Sequence, residues 1–249
     1  MRRSLIPLTA ALTLLATSAF AGGLGDMTDA ERTAFRAEVK QYLLDNPEVL
    51  LDAQQVLQDR QDKAATAQDQ AALAANADAL FKDPNSWAGG NLDGTITVVE
   101  FMDYRCPYCR KAFAEVEDLI KSDGKIRFVL KEFPILGADS VASARFAIAV
   151  RMLHGDAAYK NAHDTLIALN GPADAAALTR LAAALGFAAK PILDLMPDAR
   201  ITAILTANQA LATTLNITGT PTFVIDQTML RGYVPEAGMK QVVADQRAD

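Results

Sequence analysis

The chain has 249 residues, a formal net charge of −6 at pH 7 and only two cysteines and two histidines. That length accommodates one domain with its own core plus an additional element, and an acidic balance without a basic cluster excludes the electrostatic footprint that nucleic acid or anionic lipid requires. Proteins and small thiols remain as partner classes.

Arg2 and Arg3, an apolar stretch from Leu5 to Ala16 and the small-residue site Ala19-Phe20-Ala21 read as an export signal over residues 1–21. A buried N-terminal helix or an uncleaved anchor is the alternative. Cleavage leaves about 228 residues and, with two arginines lost, a net charge of −8. No later apolar stretch approaches the about 20 residues of a membrane span. Exported chains meet an oxidising compartment, so a single closely spaced cysteine pair points to chemistry rather than to stapling.

Residues 22–85 read as a helical arm. Thr28 and Glu31 form a capping-box pattern, and Phe35, Val39, Tyr42 and Leu43 follow at helical spacing. Asn46-Pro47 then ends one helix and opens the next, with Asn46 as N-cap and Pro47 in the first turn. From Pro47 to Asp83-Pro84 nothing breaks the pattern, which predicts one long helix. Val49 and Leu50 recur as Val56 and Leu57 one heptad later; Leu73, Ala77, Leu80 and Phe81 form a second apolar patch; Gln58 to Ala72 between them is too polar to bury much. The arm is read as an oligomerisation device, with an arm folded back on its own domain as the alternative.

Ser86 to Gly94 reads as a turn-rich linker in which Trp87 plugs a domain edge. Thr95 to Met102 is a nearly continuous β-branched and apolar run, suited to a strand buried on both faces and interrupted by Glu100. Cys106-Pro107-Tyr108-Cys109 follows directly, and Ala112, Phe113, Val116, Leu119 and Ile120 then mark a helix that stops near Gly124. Lys125 to Phe133 is a second strand, and strand, helix, strand in this order predicts a parallel crossover. Residues 138–216 are helical by pattern, with Asp139, Asp174 and Asp198 as openers. His154 sits beside a helix C-terminus, and His163 reads as a solvated surface residue. Thr222 to Asp226 and Met229 to Gly232 form a hairpin, and a last helix runs from about Pro235 to Asp245.

A zinc site would need a second pair of ligands, and neither histidine has ligand spacing to the cysteines, so the pair reads as redox chemistry and no metal is expected. The first cysteine opens a helix, where unpaired N–H groups and the helix dipole favour a thiolate. Cys106 is thus the expected nucleophile and Cys109, one turn further in, the resolving thiol. Pro107 sets the geometry of the first turn, and Tyr108 lowers the Cys106 pKa less than a histidinium would. Glu100, on the strand beneath, is positioned to exchange the Cys109 proton through water; its alternative is an ion pair with Lys131.

VVEFMDYRCPYC, FVLKEFPILG, the helical insertion, TGTPTFVI and RGYVP together resemble the DsbA-like branch of the thioredoxin superfamily over most of residues 86–249. The resemblance implies an α/β thioredoxin fold with a large helical insertion, preceded by the arm. It also implies a cis Pro221 facing the cysteines, with Thr220 beside it to pair with an extended substrate, and it matches Glu100 to the family's buried acid. No cofactor beyond the Cys106 and Cys109 pair is implied. The strong oxidases of this branch carry histidine before the second cysteine; here Tyr108 stands there and threonine precedes the proline, as in isomerase-like members. LLDNPEVL in the arm is similar to the suppressor-of-copper-sensitivity C proteins, whose arm can drive trimerisation.

Three functions follow as expectations. The first is a periplasmic disulfide isomerase or reductase, a homo-oligomer with a trimer favoured, acting on exported cysteine-containing proteins and served by a membrane redox partner. The second is a monomeric dithiol oxidase. The third is a copper-handling or holdase-type binding protein, although the scattered methionines resemble core filler more than a Cu(I) cluster.

Overall fold

The computed structural model describes residues 27–248; the expected export signal lies outside them. The chain divides into two compact units at Gln61/Asp62, within a helix, and each is described by itself.

In the first unit, α1 (Asp29–Asp45) opens on the expected capping box: Thr28 Oγ1 accepts from the Glu31 N–H, and Glu31 accepts from the Thr28 N–H at 2.8 Å. No residue of α1 is buried. Asn46 closes α1 instead of capping the next helix, because its Nδ2 donates back to the Tyr42 carbonyl at 2.9 Å. The first turns of α2 (Glu48–Ala75) complete this unit.

The long helix expected to run to Asp83 ends at Ala75. Asn76 breaks it: its side-chain Nδ2 donates to the Ala72 carbonyl at 2.8 Å, a local bond that competes with helix continuation. After it, α3 (Ala77–Phe81) buries Leu80.

The second unit is built on a five-stranded sheet of order β1-β3-β2-β4-β5, comprising β1 (Trp87–Gly90), β2 (Ile96–Met102), β3 (Ile126–Glu132), β4 (Thr222–Ile225) and β5 (Thr228–Arg231). β2 and β3 are parallel, as the crossover through α4 (Pro107–Asp123) requires, and every other pairing is antiparallel. β1 corrects the expectation of a linker at 86–94. Two glycines hid the strand, and both are needed: a Cβ at Gly89 would lie 2.2 Å from the Trp87 ring, and Gly90 has φ +68°.

Alternation along the central strands divides the core. Val98, Met102, Phe128 and Leu130 pack on one face with Val116 and Leu119 of α4. Val99, Phe101, Val129 and Val224 pack on the other with Leu73, Leu80, Leu211 and Leu215. Between β3 and β4 runs the helical insertion, α5 (Ala138–His154), α6 (Asp156–Ile167), α7 (Ala175–Ala184), α8 (Ala189–Leu195) and α9 (Ala199–Thr214). Asp174 and Asp198 cap α7 and α9 through their side chains, as expected; α5 instead begins at Gly137, without a side-chain cap. α10 (Glu236–Ala248) closes the chain.

Candidate active site

β2 ends at Met102, and residues 103–105 turn the chain into α4, whose N-cap is Cys106 and whose first residue is Pro107. Cys106 offers no side-chain cap bond, so the N–H groups of the first turn remain free to face a sulfur. Asp103 holds this turn. Its Oδ1 accepts from the Arg105 N–H at 2.7 Å, and its Oδ2 accepts from the Ile135 and Leu136 N–H groups at 2.8 and 3.0 Å.

The two cysteines are free thiols with opposed proton affinities. The Cys106 pKa falls to about 5, chiefly because the Cys109 thiol donates to it; partial burial opposes this, and the Thr220 side chain and the Cys109 and Tyr108 N–H groups assist. The Cys109 pKa moves up for the complementary reason: its proton is held by Cys106, it is buried, and Glu100 adds like charge. The hydrogen bond between the two thiols, together with the burial of Cys109, thus separates their proton affinities.

Across the site the Thr220–Pro221 peptide bond is cis, as the family resemblance implies. The Thr220 carbonyl lies 3.0 Å from Cys106 Sγ and accepts from the protonated thiol. Thr220 therefore meets Cys106 with both its backbone and its side chain. Tyr108 is 59% exposed and stacks on Tyr233 with centroids 6.4 Å apart.

Glu100 is buried, and burial first, then the charges of Cys106, Glu117 and Glu132, raise its pKa to about 8. The alternative pairing with Lys131 is not formed: Lys131 Nζ lies 2.7 Å from Asp83 Oδ2. Strand geometry explains this. Glu100 is in register with Leu130 and so shares its face, whereas Lys131 is in register with Phe101 and points to the other side.

A second buried acid went unrecognised in the sequence. Glu132 accepts from the Tyr104 hydroxyl at 2.7 Å and the Tyr159 hydroxyl at 2.6 Å, and its Oε2 has no partner. Burial raises its pKa to about 8 against the pull of both hydroxyls. Glu132 is in register with Met102, one pleat from Glu100 on the same face. His163 joins this cluster and is not solvated: its Nδ1 lies 3.2 Å from the Tyr104 hydroxyl, and burial lowers its pKa to about 3. Since Tyr104 donates to Glu132, its oxygen accepts from Nδ1–H of a neutral imidazole. These residues are scattered over β3, α6 and the 103–105 turn, and their only sequence signal was a pair of polar residues, Lys131 and Glu132, ending an apolar strand.

Fold and site together define a thiol-disulfide oxidoreductase of thioredoxin fold, and the chain belongs to the thioredoxin family, whose profile matches residues 82–245. Residues 31–64 match the copper resistance protein ScsC N-terminal domain, so the chain is a DsbA-like oxidoreductase that resembles ScsC. A thioredoxin-like oxidoreductase from Silicibacter pomeroyi DSS-3 is 37% identical with a TM-score of 0.65, over 69% of this chain and 98% of that one. Proteus mirabilis ScsC in a transitional conformation is 26% identical with a TM-score of 0.65, over 90% of this chain and 98% of that one. The chain also aligns with Na(+)/H(+) antiporter NhaA 1 of Salinispora arenicola (strain CNS-205), 29% identical over 143 residues, 55% of this chain and 21% of the antiporter. It therefore spans about a fifth of that relative's length, and among the described residues no helix is long and apolar enough to cross a membrane.

Proposed function

We propose that this protein is a periplasmic disulfide isomerase or reductase of exported cysteine-containing proteins, working as a homo-oligomer, most simply a trimer, and kept reduced by a membrane redox partner. The observation that carries the reading is the pairing of a thiolate-forming Cys106 with a proton-retaining Cys109 at one helix start.

The Cys106 thiolate attacks a client disulfide and forms a mixed disulfide, releasing one client sulfur as a thiolate. An extended client lies against the backbone at Thr220 and Pro221. Once Cys106 is bonded to the client it no longer holds the Cys109 proton by hydrogen bonding. Glu100, when ionised, takes that proton through water, and Cys109 attacks Cys106 Sγ to release the second client thiolate. Alternatively, a free client thiolate resolves the mixed disulfide and leaves a rearranged client, which is isomerisation.

Two observations bear on direction. A Cys106 pKa of about 5 stabilises the reduced protein, which suits an isomerase held reduced but also a dithiol oxidase. The arm favours the isomerase, because Phe35, Val39, Leu50, Val56 and Leu57 are between 42% and 59% exposed on helices that offer a second copy an apolar surface. Several sites around one client raise the effective thiol concentration. The test is refolding of a scrambled disulfide protein by the full chain and by a chain lacking residues 22–61, with native mass by light scattering. The reading expects an oligomer whose arm-deleted form still exchanges disulfides but loses refolding. A full-length monomer at tens of micromolar moves the assignment to the oxidase, and stoichiometric copper retained by the pair moves it to copper handling.

A further inference from the structure

The segment around Cys106 and Cys109 carries three cations, and no carboxylate forms a close ion pair with any of them among the described residues. Arg105 precedes Cys106, and Arg110 and Lys111 follow Cys109. The two guanidinium groups converge on one acceptor, the Leu169 carbonyl, at 3.3 Å from Arg105 Nη1 and 2.8 Å from Arg110 Nη2. Arg110 Nε also donates to the Tyr104 carbonyl at 3.0 Å. Lys111 Nζ lies 4.0 Å from the centroid of the Tyr233 ring, against which Tyr108 stacks.

Among the described residues, none of these three cations takes part in an ion pair. Asp103, the nearest carboxylate along the chain, is turned onto three backbone N–H groups. Glu115 accepts from the Tyr233 hydroxyl and the Glu236 N–H, and the charge of Lys111 acts on it only as a weaker, longer-range contribution. Burial chiefly, and the charge of Arg105 in second place, lower the Arg110 pKa. Such an arrangement is relieved when an anion binds, and guanidinium groups match carboxylates in shape and charge. The helix start adds positive potential of its own.

We propose that Arg105, Arg110 and Lys111 form a carboxylate-recognising rim that draws disulfides bearing a carboxylate close to the reacting sulfur onto Cys106. The proposal rests on the thiol-disulfide reading above. In the step it serves, the Cys106 thiolate bonds to one sulfur of RS–SR and RS⁻ departs. Cys109 then loses its proton and bonds to Cys106 Sγ, and the second RS⁻ departs. The cysteine pair is oxidised by two electrons, and RS–SR is reduced to two thiols after protonation.

The experiment measures oxidation rates of the reduced full chain by oxidised glutathione, neutral hydroxyethyl disulfide and cationic cystamine, at low and high salt. A bare thiolate repels the anionic disulfide. The rim predicts the reverse, a preference for oxidised glutathione over the neutral probe on the order of tenfold at low ionic strength, collapsing as salt screens it. Arg105→Gln and Lys111→Gln should each lower that ratio and Arg105→Lys restore it, whereas Lys121→Gln, the same charge change at the far end of α4, should leave it unchanged. A cysteine-peptide disulfide with glutamate beside the cysteine, compared with its glutamine counterpart, separates the sources. A preference for both acidic probes assigns acidic client segments; a preference for oxidised glutathione alone assigns a small thiol. Equal rates for oxidised glutathione and the neutral probe at low salt overturn the rim without needing any variant. No oxidation by the neutral probe would instead overturn the underlying thiol-disulfide reading.

Discussion

The arm and the catalytic unit use the same apolar residue types in opposite ways. In residues 27–61 the helices hold together by local means. These are a capping box at Thr28 and side-chain pairs one turn apart, Gln41 with Asp45 and Gln55 with Asp59, while Leu44, Leu50 and Leu51 remain 59–68% exposed. In residues 62–248, β2 and β3 are covered on both faces, and Val98, Val99 and Phe101 are fully buried. Local pairs supply only about 0.2–0.5 kcal/mol each, whereas burying a large apolar side chain supplies about 1.5–3 kcal/mol. The catalytic unit draws its stability from burial. The arm leaves that source open, which is why its apolar residues are the place to look for assembly.

The largest effect expected lies in the catalytic unit. Cys106→Ser should abolish disulfide exchange, and Cys109→Ser should keep the first attack but accumulate mixed disulfides visible by mass spectrometry. Greater reactivity of Cys109 towards an alkylating agent would reverse their roles. Next comes one substitution made in both regions. Phe101→Ala should destabilise the catalytic unit by about 3–5 kcal/mol in denaturant melts, whereas Phe35→Ala should change that transition by less than about 0.5 kcal/mol. Equal costs would break the contrast drawn between the units.

Buried acids sharpen it further through pH. Between about pH 4.5 and 8 the folded chain keeps protons on Glu100 and Glu132 that the unfolded chain has released. Stability should therefore be full near pH 4 as far as these groups are concerned and decline as pH rises through that window. Glu100→Gln should flatten the decline and slow the Cys109-dependent release of client while leaving the first attack by Cys106 intact. A wild-type stability curve that rises over the same range, after Glu100→Gln is compared with it, would remove the acid from this role. Within the catalytic unit the smallest effect is expected at the partly exposed pair of Asp69 with Arg231, 2.6 Å apart. There Asp69→Asn should cost no more than about 1 kcal/mol in the same melts.

Near-neighbour chemistry was legible in the sequence because its causes are local. Cys106 at a helix start, Cys109 one turn on, the strand from Ile96, the hairpin after Pro221 and the caps at Thr28, Asp174 and Asp198 each depend on a few consecutive residues. The long arm helix was legible except for its end, where Asn76 reaches back to Ala72, a choice that pattern alone does not reveal. What tertiary structure decided is which distant groups meet. It turned Lys131 away from Glu100 towards Asp83, because register placed them on opposite faces of the sheet. It made an edge strand of Trp87–Gly90 by pairing it antiparallel with β3, from Trp87 opposite Leu130 to Gly90 opposite Arg127. It also drew His163 and Tyr159 from α6 onto Tyr104 and Glu132, building a buried polar cluster whose members lie up to 59 positions apart. Pairings of this kind carry no periodicity along the chain, because burial and strand register, acting between elements, select them.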